Sequence, residues 1–317
     1  MNLYVWGTGC AAGDLIDAGL AVGQVTAFLD SEAQGGSFLG RPVLRPEAVD
    51  ADSEYLILVA SRHVEEIARQ AAACGIGESR LLFLRDNWTL TDRNPDYGEA
   101  QKLLPPALLS SLQTPPRAIR PLPPPPGSPL TERDLAGDYV RVRTLELLCN
   151  ELKGVPGAAA ELGVYRGSFA RCLSALLPER RLYLFDTFEG FDPAEVQGQG
   201  DGFAEAHRNT SIERVLRLLP HPEQAVIRQG LFPASAAGLE SERFALVSLD
   251  VDLEESTLAG LRWFVPRMQE GGFLLLHDYN NPKLPGVKRA VSRFEREYGH
   301  LHTVPLCDVN GTLVFSV

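Results

Sequence analysis

Residues 160–170 read AELGVYRGSFA. The small residues Ala158, Ala159 and Ala160 run into Glu161, and Gly163 and Gly167 follow with three residues between them. An apolar run ending in such a turn, with the amphipathic stretch SFARCLSALL behind it, opens a βαβ unit. Gly163 lets the backbone turn sharply after the strand, and Gly167 lets a ligand lie close to the chain. The next strand, RLYLFD, ends in Asp186, 25 residues beyond Glu161 and so one unit further on. A carboxylate at that place accepts ribose hydroxyls in dinucleotide folds. Glu161 lies where a cationic amino group can be neutralised.

The same rhythm extends in both directions. GDYVRVRTLELLCNELK predicts a helix capped by Asp138. After Asp186 come the helix SIERVLRLL, the strands QAVIRQG and FALVSLDVD, the helix STLAGLRWFVPRM, the strand GGFLLLHDYN and the helix GVKRAVSRFEREYG. HTVPLC and TLVFSV close the chain, joined by DVNG, whose Asn310-Gly311 pair predicts a tight antiparallel turn. A parallel sheet that finishes in an antiparallel hairpin is the Rossmann-like α/β layout of the class I S-adenosylmethionine methyltransferases. S-adenosyl-L-methionine carries an amine and a sulfonium and no phosphate, which suits an acid at position 161. A purely structural turn is the alternative, since many α/β strands end in Glu-x-Gly.

SLDVDLEEST places Asp250 and Asp252 two residues apart at a strand end, and strand alternation predicts both on one face. LLLHDYNN places His277 and Asp278 at the end of a neighbouring strand. Ligands in open α/β sheets bind beyond the carboxyl ends of the strands, so the four residues are expected to converge. Carboxylates at that density repel unless a cation or a shared proton offsets them. A divalent metal is the natural reading: oxygen ligands suit Mg²⁺, and a histidine ligand admits Mn²⁺, Fe²⁺ or Zn²⁺. The ion would hold a substrate hydroxyl and lower its pKa, and a carboxylate free of the ion would take the proton. Strand-end caps and surface acids are the plain alternative, and His277 by itself reads equally as ligand or hydrogen-bonding partner.

DYVRVRTLELLCNEL, AELGVYRGSFA, LYLFDTFEGF, NTSIERV, FALVSLDVDLEEST, FVPRMQEGGFLLLHDYN and GVKRAV, in that order, resemble the macrocin-type O-methyltransferases. The resemblance runs from about Asp138 to the C-terminus. It implies a metal-dependent enzyme, usually with Mg²⁺, acting on sugar hydroxyls of macrolides, aminocoumarins and related glycosides. It assigns Asp250, His277 and Asp278 to the metal, with His277 at a position usually held by an acid, and makes Asp252 the general base. It assigns Glu161, Gly163, Tyr165, Gly167, Ser168, Asp186 and Thr187 to the methyl donor. Tyr139, Arg143, Tyr279 and Asn280 fall on the acceptor side, and the segment from Asp192 to Asn209 reads as a lid. Glu254 stands where the family usually has Tyr, which bears on the acceptor pocket. Related enzymes are often oligomeric, so a homo-oligomer is expected. A methyltransferase-like binding protein without turnover is the runner-up.

The first 86 residues form a smaller α/β unit of their own. LYVWGTGCAAG, with Gly7 and Gly9, opens it, and QVTAFLD ends in Asp30. AFLDSEAQGGSFLGRPVLRPEAV resembles the small Rossmann-like domains that precede sugar acyltransferases and some methyltransferases. Gly7, Gly9 and Asp30 then hold a nucleotide or nucleotide-sugar, or keep the fold as a docking module. A redox dinucleotide site is the least favoured reading, because the unit is half the usual size. Residues 87–130 carry a run of prolines between Pro105 and Pro129 and read as a semi-rigid linker. Residues 131–317 complete the division as the methyltransferase domain.

Composition sets the outer limits. The net charge is −11 over 317 residues, with no dense Lys/Arg run, which argues against nucleic-acid partners. Five scattered cysteines without a CxxC pair predict reduced thiols. Neither a signal-like N-terminus nor an apolar run long enough to span a bilayer is seen, so a cytoplasmic protein without membrane contact is expected.

Overall fold

In the computed structural model the described residues are 1–83 apart from 18, 51 and 62, then 124–131, 134–135, 138–196, 205 and 207–316. They divide into two compact units. One comprises Met1–Arg120 with Val196–Asn209, the other Pro121–Glu195 with Thr210–Val317. Most of the proline-rich stretch lies outside the described residues, as do residues 197–204 and 206 of the expected lid.

The second unit is built on a seven-stranded sheet. Its strands are β7 (Ala158–Leu162), β8 (Leu182–Asp186), β9 (Ala225–Gln229), β10 (Phe244–Leu249), β11 (Met268–Leu276), β12 (Thr303–Pro305) and β13 (Leu313–Ser316). They lie in the order β12-β13-β11-β10-β7-β8-β9. All pairs are parallel except β11–β13 and β12–β13. This is the expected parallel sheet with a closing antiparallel hairpin. The chain order reverses where β10 and β8 flank β7, the place where such sheets open a ligand crevice.

Alternation along the strands splits the core into two layers. Ala158, Ala160 and Leu162 of β7 join Phe185, Val247 and Leu249 on one face. Helices α6 (Glu254–Phe264) and α7 (Pro285–Tyr298) cover that face with Leu258, Leu261, Phe264, Val287 and Phe294. Ala159, Leu184, Leu246 and Leu275 point the other way. There they meet Leu145 of α3 (Tyr139–Glu151), Leu173 of α4 (Ser168–Leu176) and Val215 of α5 (Ile212–Leu218). Each large side chain buried in this way contributes about 1.5–3 kcal/mol. Asp138 caps α3 as expected, its Oδ1 accepting from Arg141 N at 3.0 Å.

The closing hairpin differs from the sequence expectation in one respect. Asn310-Gly311 does not form a two-residue turn; the connection runs from residue 306 to 312. Buried Asp308 organises it by accepting from Thr312 N at 2.6 Å and from the Thr312 hydroxyl. A side chain that satisfies the loop backbone makes the wider turn as good as a tight one.

The first unit holds β1 (Asn2–Trp6), α1 (Cys10–Asp17), β2 (Ala27–Leu29), β3 (Ser37–Phe38), β4 (Arg41–Leu44), β5 (Tyr55–Val59), α2 (Val64–Ala73) and β6 (Leu81–Phe83). The sheet order is β3-β4-β2-β1-β5-β6, parallel save for the β3–β4 hairpin. Its two faces carry separate apolar layers, one with Leu15 of α1 and the other with Ile67 of α2. Among the described residues, no helix is long and apolar enough to cross a membrane. Cys74, Cys149, Cys172 and Cys307 are free thiols.

Candidate active site

The carboxyl edge of the second sheet concentrates backbone strain. Tyr165, Phe188, Asp252 and Asp278 have φ of 48°, 58°, 61° and 60°. They lie just beyond the ends of β7, β8, β10 and β11 respectively. Positive φ in non-glycine residues costs free energy, and it persists where the surroundings over-determine the conformation, as at ligand sites. The four turns stand side by side, since β11, β10, β7 and β8 are consecutive in the sheet.

Gly163 sets the approach of β7 to β10. Its φ is +88°, and a Cβ there would lie 1.8 Å from the Asp250 carbonyl oxygen. Gly163→Ala is therefore expected to cost about 2 kcal/mol for the left-handed conformation alone, and more for the displaced Asp250. A urea midpoint equal to that of the parent would contradict this close approach. Gly167 lies at the N-cap of α4, and Ser168 is that helix's first residue.

Asp186 pins the same turn. Its Oδ2 accepts from Val164 N and Tyr165 N, both at 2.8 Å, and its Oδ1 from Phe188 N at 2.7 Å. A carboxylate has about four acceptor sites, so one remains open. Thr187 turns its hydroxyl to the Gly190 carbonyl at 2.5 Å, shaping the loop after β8. The Thr210 hydroxyl donates to the Tyr165 carbonyl.

Glu161 closes the crevice floor at 1% exposure, and its Oε2 has no hydrogen-bond partner. Burial pushes its carboxyl well above the usual range, opposed by nearby Arg141. An orphaned buried carboxyl costs stability unless a cation is brought to it. That is the requirement of an amine-bearing cofactor.

Arg141 of α3 is the residue that the sequence reading missed in favour of Arg143. It is 7% exposed, with Nη1 3.0 Å from Asp250 Oδ2 and its guanidinium 4.0 Å from the centroid of the Phe169 ring. Arg143 instead pairs with Glu146 on its own helix. The signal for Arg141 was available in the helix: Val142 and Leu145 face the core. Arg141 is a turn before Leu145, at i−4, and so shares its face. Tyr139, half-buried, packs against the apolar layer under α3.

His277 Nδ1 lies 3.0 Å from Asp250 Oδ1 and 2.8 Å from Asp278 Oδ2. Ligand atoms of Asp138, His277 and Asp308 also lie within 4.8 Å of one another, so carboxylates surround the imidazole. Burial and Arg141 lower the His277 pKa, but Asp250 and Asp278 overcome them and push it up to about 10. Burial raises Asp250, yet His277 and Arg141 hold it well below the usual carboxylate range. Asp278 is buried and also accepts from Asn281 Nδ2 at 2.7 Å.

Asp250, His277 and Asp278 offer three donor atoms within 4.8 Å. Two ligand atoms at about 2.1 Å from a divalent ion and at right angles lie about 3 Å apart. In the structure His277 itself sits as the cation between the two carboxylates; once its imidazole is neutral, the three donor atoms are close enough to hold a divalent ion.

Asp252 reaches the cluster by a route that alternation did not foresee. β10 ends at Leu249, so Asp250 and Asp252 stand beyond the pleat. A tight turn, with Leu253 N donating to Val251 O, holds Asp252 at positive φ. There its carboxyl lies beside that of Asp278. Glu254, in the place of the family's usual Tyr, accepts from Arg289 Nε at 2.6 Å and Arg293 Nη1 at 3.0 Å, tying α6 to α7. Tyr279 and Asn280 line a cavity that begins immediately after Asp278.

In the first unit the structure brings Gly7, Thr8, Gly9 and Asp30 together. A Cβ on Gly7 would lie 2.3 Å from the Ala60 carbonyl oxygen, so this glycine serves strand packing. The Gly9 carbonyl accepts from Ala12 N and Gly13 N at the start of α1. Asp30 is buried, with Oδ2 accepting from the Thr8 hydroxyl at 2.8 Å and Oδ1 from Glu32 N at 2.9 Å.

Three curated proteins are similar to this chain over about half of its length. An 8-demethyl-8-(2,3-dimethoxy-alpha-L-rhamnosyl)-tetracenomycin-C 4'-O-methyltransferase from Streptomyces olivaceus is 29% identical over 188 residues, covering 51% of this chain and 66% of that protein. A demethyldecarbamoylnovobiocin O-methyltransferase from Streptomyces niveus is 28% identical over 159 residues, 45% of this chain and 60% of that protein. A mycinamicin III 3''-O-methyltransferase from Micromonospora griseorubida is 29% identical over 163 residues, 46% of this chain and 63% of that protein. The chain thus spans somewhat under two thirds of the length of these relatives. The sheet order, the acidic crevice and a match of residues 140–316 to the Macrocin-O-methyltransferase (TylF) model agree, and the chain belongs to that family.

Proposed function

We infer that the chain is an O-methyltransferase that uses S-adenosyl-L-methionine and a divalent ion to methylate a hydroxyl of a sugar or glycosylated small molecule. The observation that carries this reading is the buried Glu161 carboxyl, with Oε2 unpartnered, at the carboxyl end of β7, in a chain of this family. The relatives named above, each acting on a glycosylated or related natural product by its name, support the acceptor class.

When bound, the donor supplies an electrophilic methyl group on a sulfonium. Glu161 would neutralise the donor's ammonium, and Asp186 would accept from its ribose. The backbone from Gly163 to Ser168 would lie against it, with Tyr165 and Thr187 beside it. Asp250, His277 and Asp278 would hold the ion, which supplies positive charge that eases ionisation of the acceptor hydroxyl. His277 would have to be neutral to serve as a ligand, so ion binding there would displace the Nδ1 proton. Asp252, outside the trio, takes the hydroxyl proton on its carboxylate. Arg141 keeps Asp250 ionised and oriented.

Asp252→Asn should lower turnover about 10²- to 10⁴-fold while S-adenosylhomocysteine still binds. Turnover is scored as S-adenosylhomocysteine released over a panel of glycosides. A variant that turns over like the parent would remove Asp252 from the role of base. Chelation with EDTA should cut turnover at least tenfold, with recovery on adding Mg²⁺ or Mn²⁺. Unchanged turnover in EDTA would overturn the metal assignment and leave the donor site standing.

A further inference from the structure

In a dinucleotide-binding unit the turn after the first strand takes the phosphates, and the acid ending the next strand takes a ribose hydroxyl. The first unit has both parts, Gly7-Thr8-Gly9 and Asp30, and supplies them with partners from its own chain. Thr8 is fully buried, and its hydroxyl donates to Asp30 Oδ2 at 2.8 Å, the bond that a ribose hydroxyl would make. The Thr8 oxygen in turn accepts from Asn209 Nδ2. Asn209 ends the stretch Val196–Asn209, which belongs to the first unit although Pro121–Glu195 and Thr210–Val317, on either side of it, form the second. The next residue, Thr210, donates its hydroxyl to the Tyr165 carbonyl. Tyr165 is the strained residue of the turn after β7, with φ of 48°, and its N–H donates to Asp186. One peptide bond thus joins the residue held by Thr8 to the residue that holds Tyr165.

We propose that the Gly7-Thr8-Gly9 turn is a socket for Asn209, so that the first unit serves the methyl donor by fixing Thr210 against Tyr165. Thr8, Asn209 and Thr210 are then positioning residues for the donor. The proposal rests on the donor-site reading above. A non-glycine residue keeps a left-handed backbone only where its surroundings over-determine it. At Tyr165 they are Asp186 on the N–H side and Thr210 on the carbonyl side. Thr210 is useful there only if its own backbone is already ordered, since ordering it on binding would cost affinity. Asn209 anchors it on one side through Thr8. Ser211 anchors it on the other, capping α5 by accepting from Arg214 N at 3.2 Å. A nucleotide entering the first unit at Thr8 and Asp30 would have to displace Asn209.

The test uses the full chain and reads two quantities: S-adenosylhomocysteine affinity by calorimetry, and amide exchange of residues 163–168 by mass spectrometry. Asn209→Ala should raise Kd by about fivefold, the worth of one hydrogen bond, and speed exchange in that turn, with a melting curve like the parent's. Thr8→Val should do the same, and Thr8→Ser, which keeps the hydroxyl, should restore the parent's values. Both changes act on one bond, so Asn209→Ala combined with Thr8→Val should be no worse than either alone. Ser53→Ala, which removes a hydroxyl that donates to Asp50 O in the turn before β5, should change neither quantity. The parent saturated with S-adenosylhomocysteine should give no binding heat with ADP. Should Thr8→Val fail to fold, Asn209→Ala, at a half-buried position, decides by itself. Parent-like affinity and exchange in Asn209→Ala, losses that add in the double variant, or ADP binding to the saturated parent overturn the proposal and leave the donor site intact. A parent chain that fails to bind S-adenosylhomocysteine overturns the reading beneath it and the proposal together.

Discussion

Glu161→Gln is expected to stabilise the chain and to disable its donor site. The carboxyl is 1% exposed and one of its oxygens has no partner, so the fold carries a buried acid for a purpose other than stability. Glutamine cannot ionise, so the variant is spared the pH-dependent cost of a buried carboxyl, about 1–3 kcal/mol near neutral pH. At roughly 2–4 °C per kcal/mol for a unit of this size, Tm should rise by about 2–12 °C near neutral pH. The sign with pH follows from burial raising the folded pKa. Below the unfolded value of about 4.3 the carboxyl is neutral in both states, and parent and variant should melt together. Above it the folded state holds a proton that the unfolded state has lost. The parent therefore loses stability as pH rises, until the folded pKa is passed. The gap in Tm should open above about pH 4.3. Donor affinity moves the other way. Truncating one partner of a buried charge pair costs about 2–5 kcal/mol, or thirtyfold to several-thousandfold in Kd. A variant that binds S-adenosylhomocysteine like the parent would contradict the assignment of Glu161.

Arg141→Met is expected to be among the most damaging single changes in the second unit. The guanidinium is buried against Phe169, 3.0 Å from Asp250, and within the field of Glu161. Methionine replaces its volume without its charge, and leaves Asp250 to His277 alone. Breaking a buried pair by removing one partner costs about 3–5 kcal/mol, which urea denaturation of the metal-free protein would read as a lower midpoint at unchanged m. Arg141→Lys, which keeps the charge and loses the fork, should fall between. A loss below about 1 kcal/mol in Arg141→Met, the range of exposed pairs, would mean that Asp250 does not depend on this cation.

Much of the fold can be read from the chain because β7, β8, β10 and β11 are short apolar runs that end in acids or glycine. Burial on both faces gives parallel strands that signature. The β3–β4 hairpin was missed for a local reason. Its turn is Leu39-Gly40, with φ of 51° and 73°, and leucine is a poor candidate for positive φ. The wider connection before β13 was hidden because Asp308 organises it through its side chain, which no Asn-Gly rule encodes. At the site, Glu161, Asp186, Asp250, His277 and Asp278 were visible as strand-end polar residues. Asp252 was also singled out, but its place comes from a strained turn and not from alternation. Arg141 was passed over because a helix with two arginines two residues apart shows no sequence preference between them. Only the position of α3 against the sheet separates buried Arg141 from Arg143, which pairs on its own helix.

The central claim is that the carboxyl edge of the second sheet is a single methyl-donor site. Calorimetric titration of the purified full chain with S-adenosylhomocysteine tests it most directly. The account predicts one binding event per chain, present with and without added Mg²⁺ and lost in Glu161→Gln. A folded parent chain that gives no binding heat in either condition, or one whose binding survives Glu161→Gln unchanged, would contradict it.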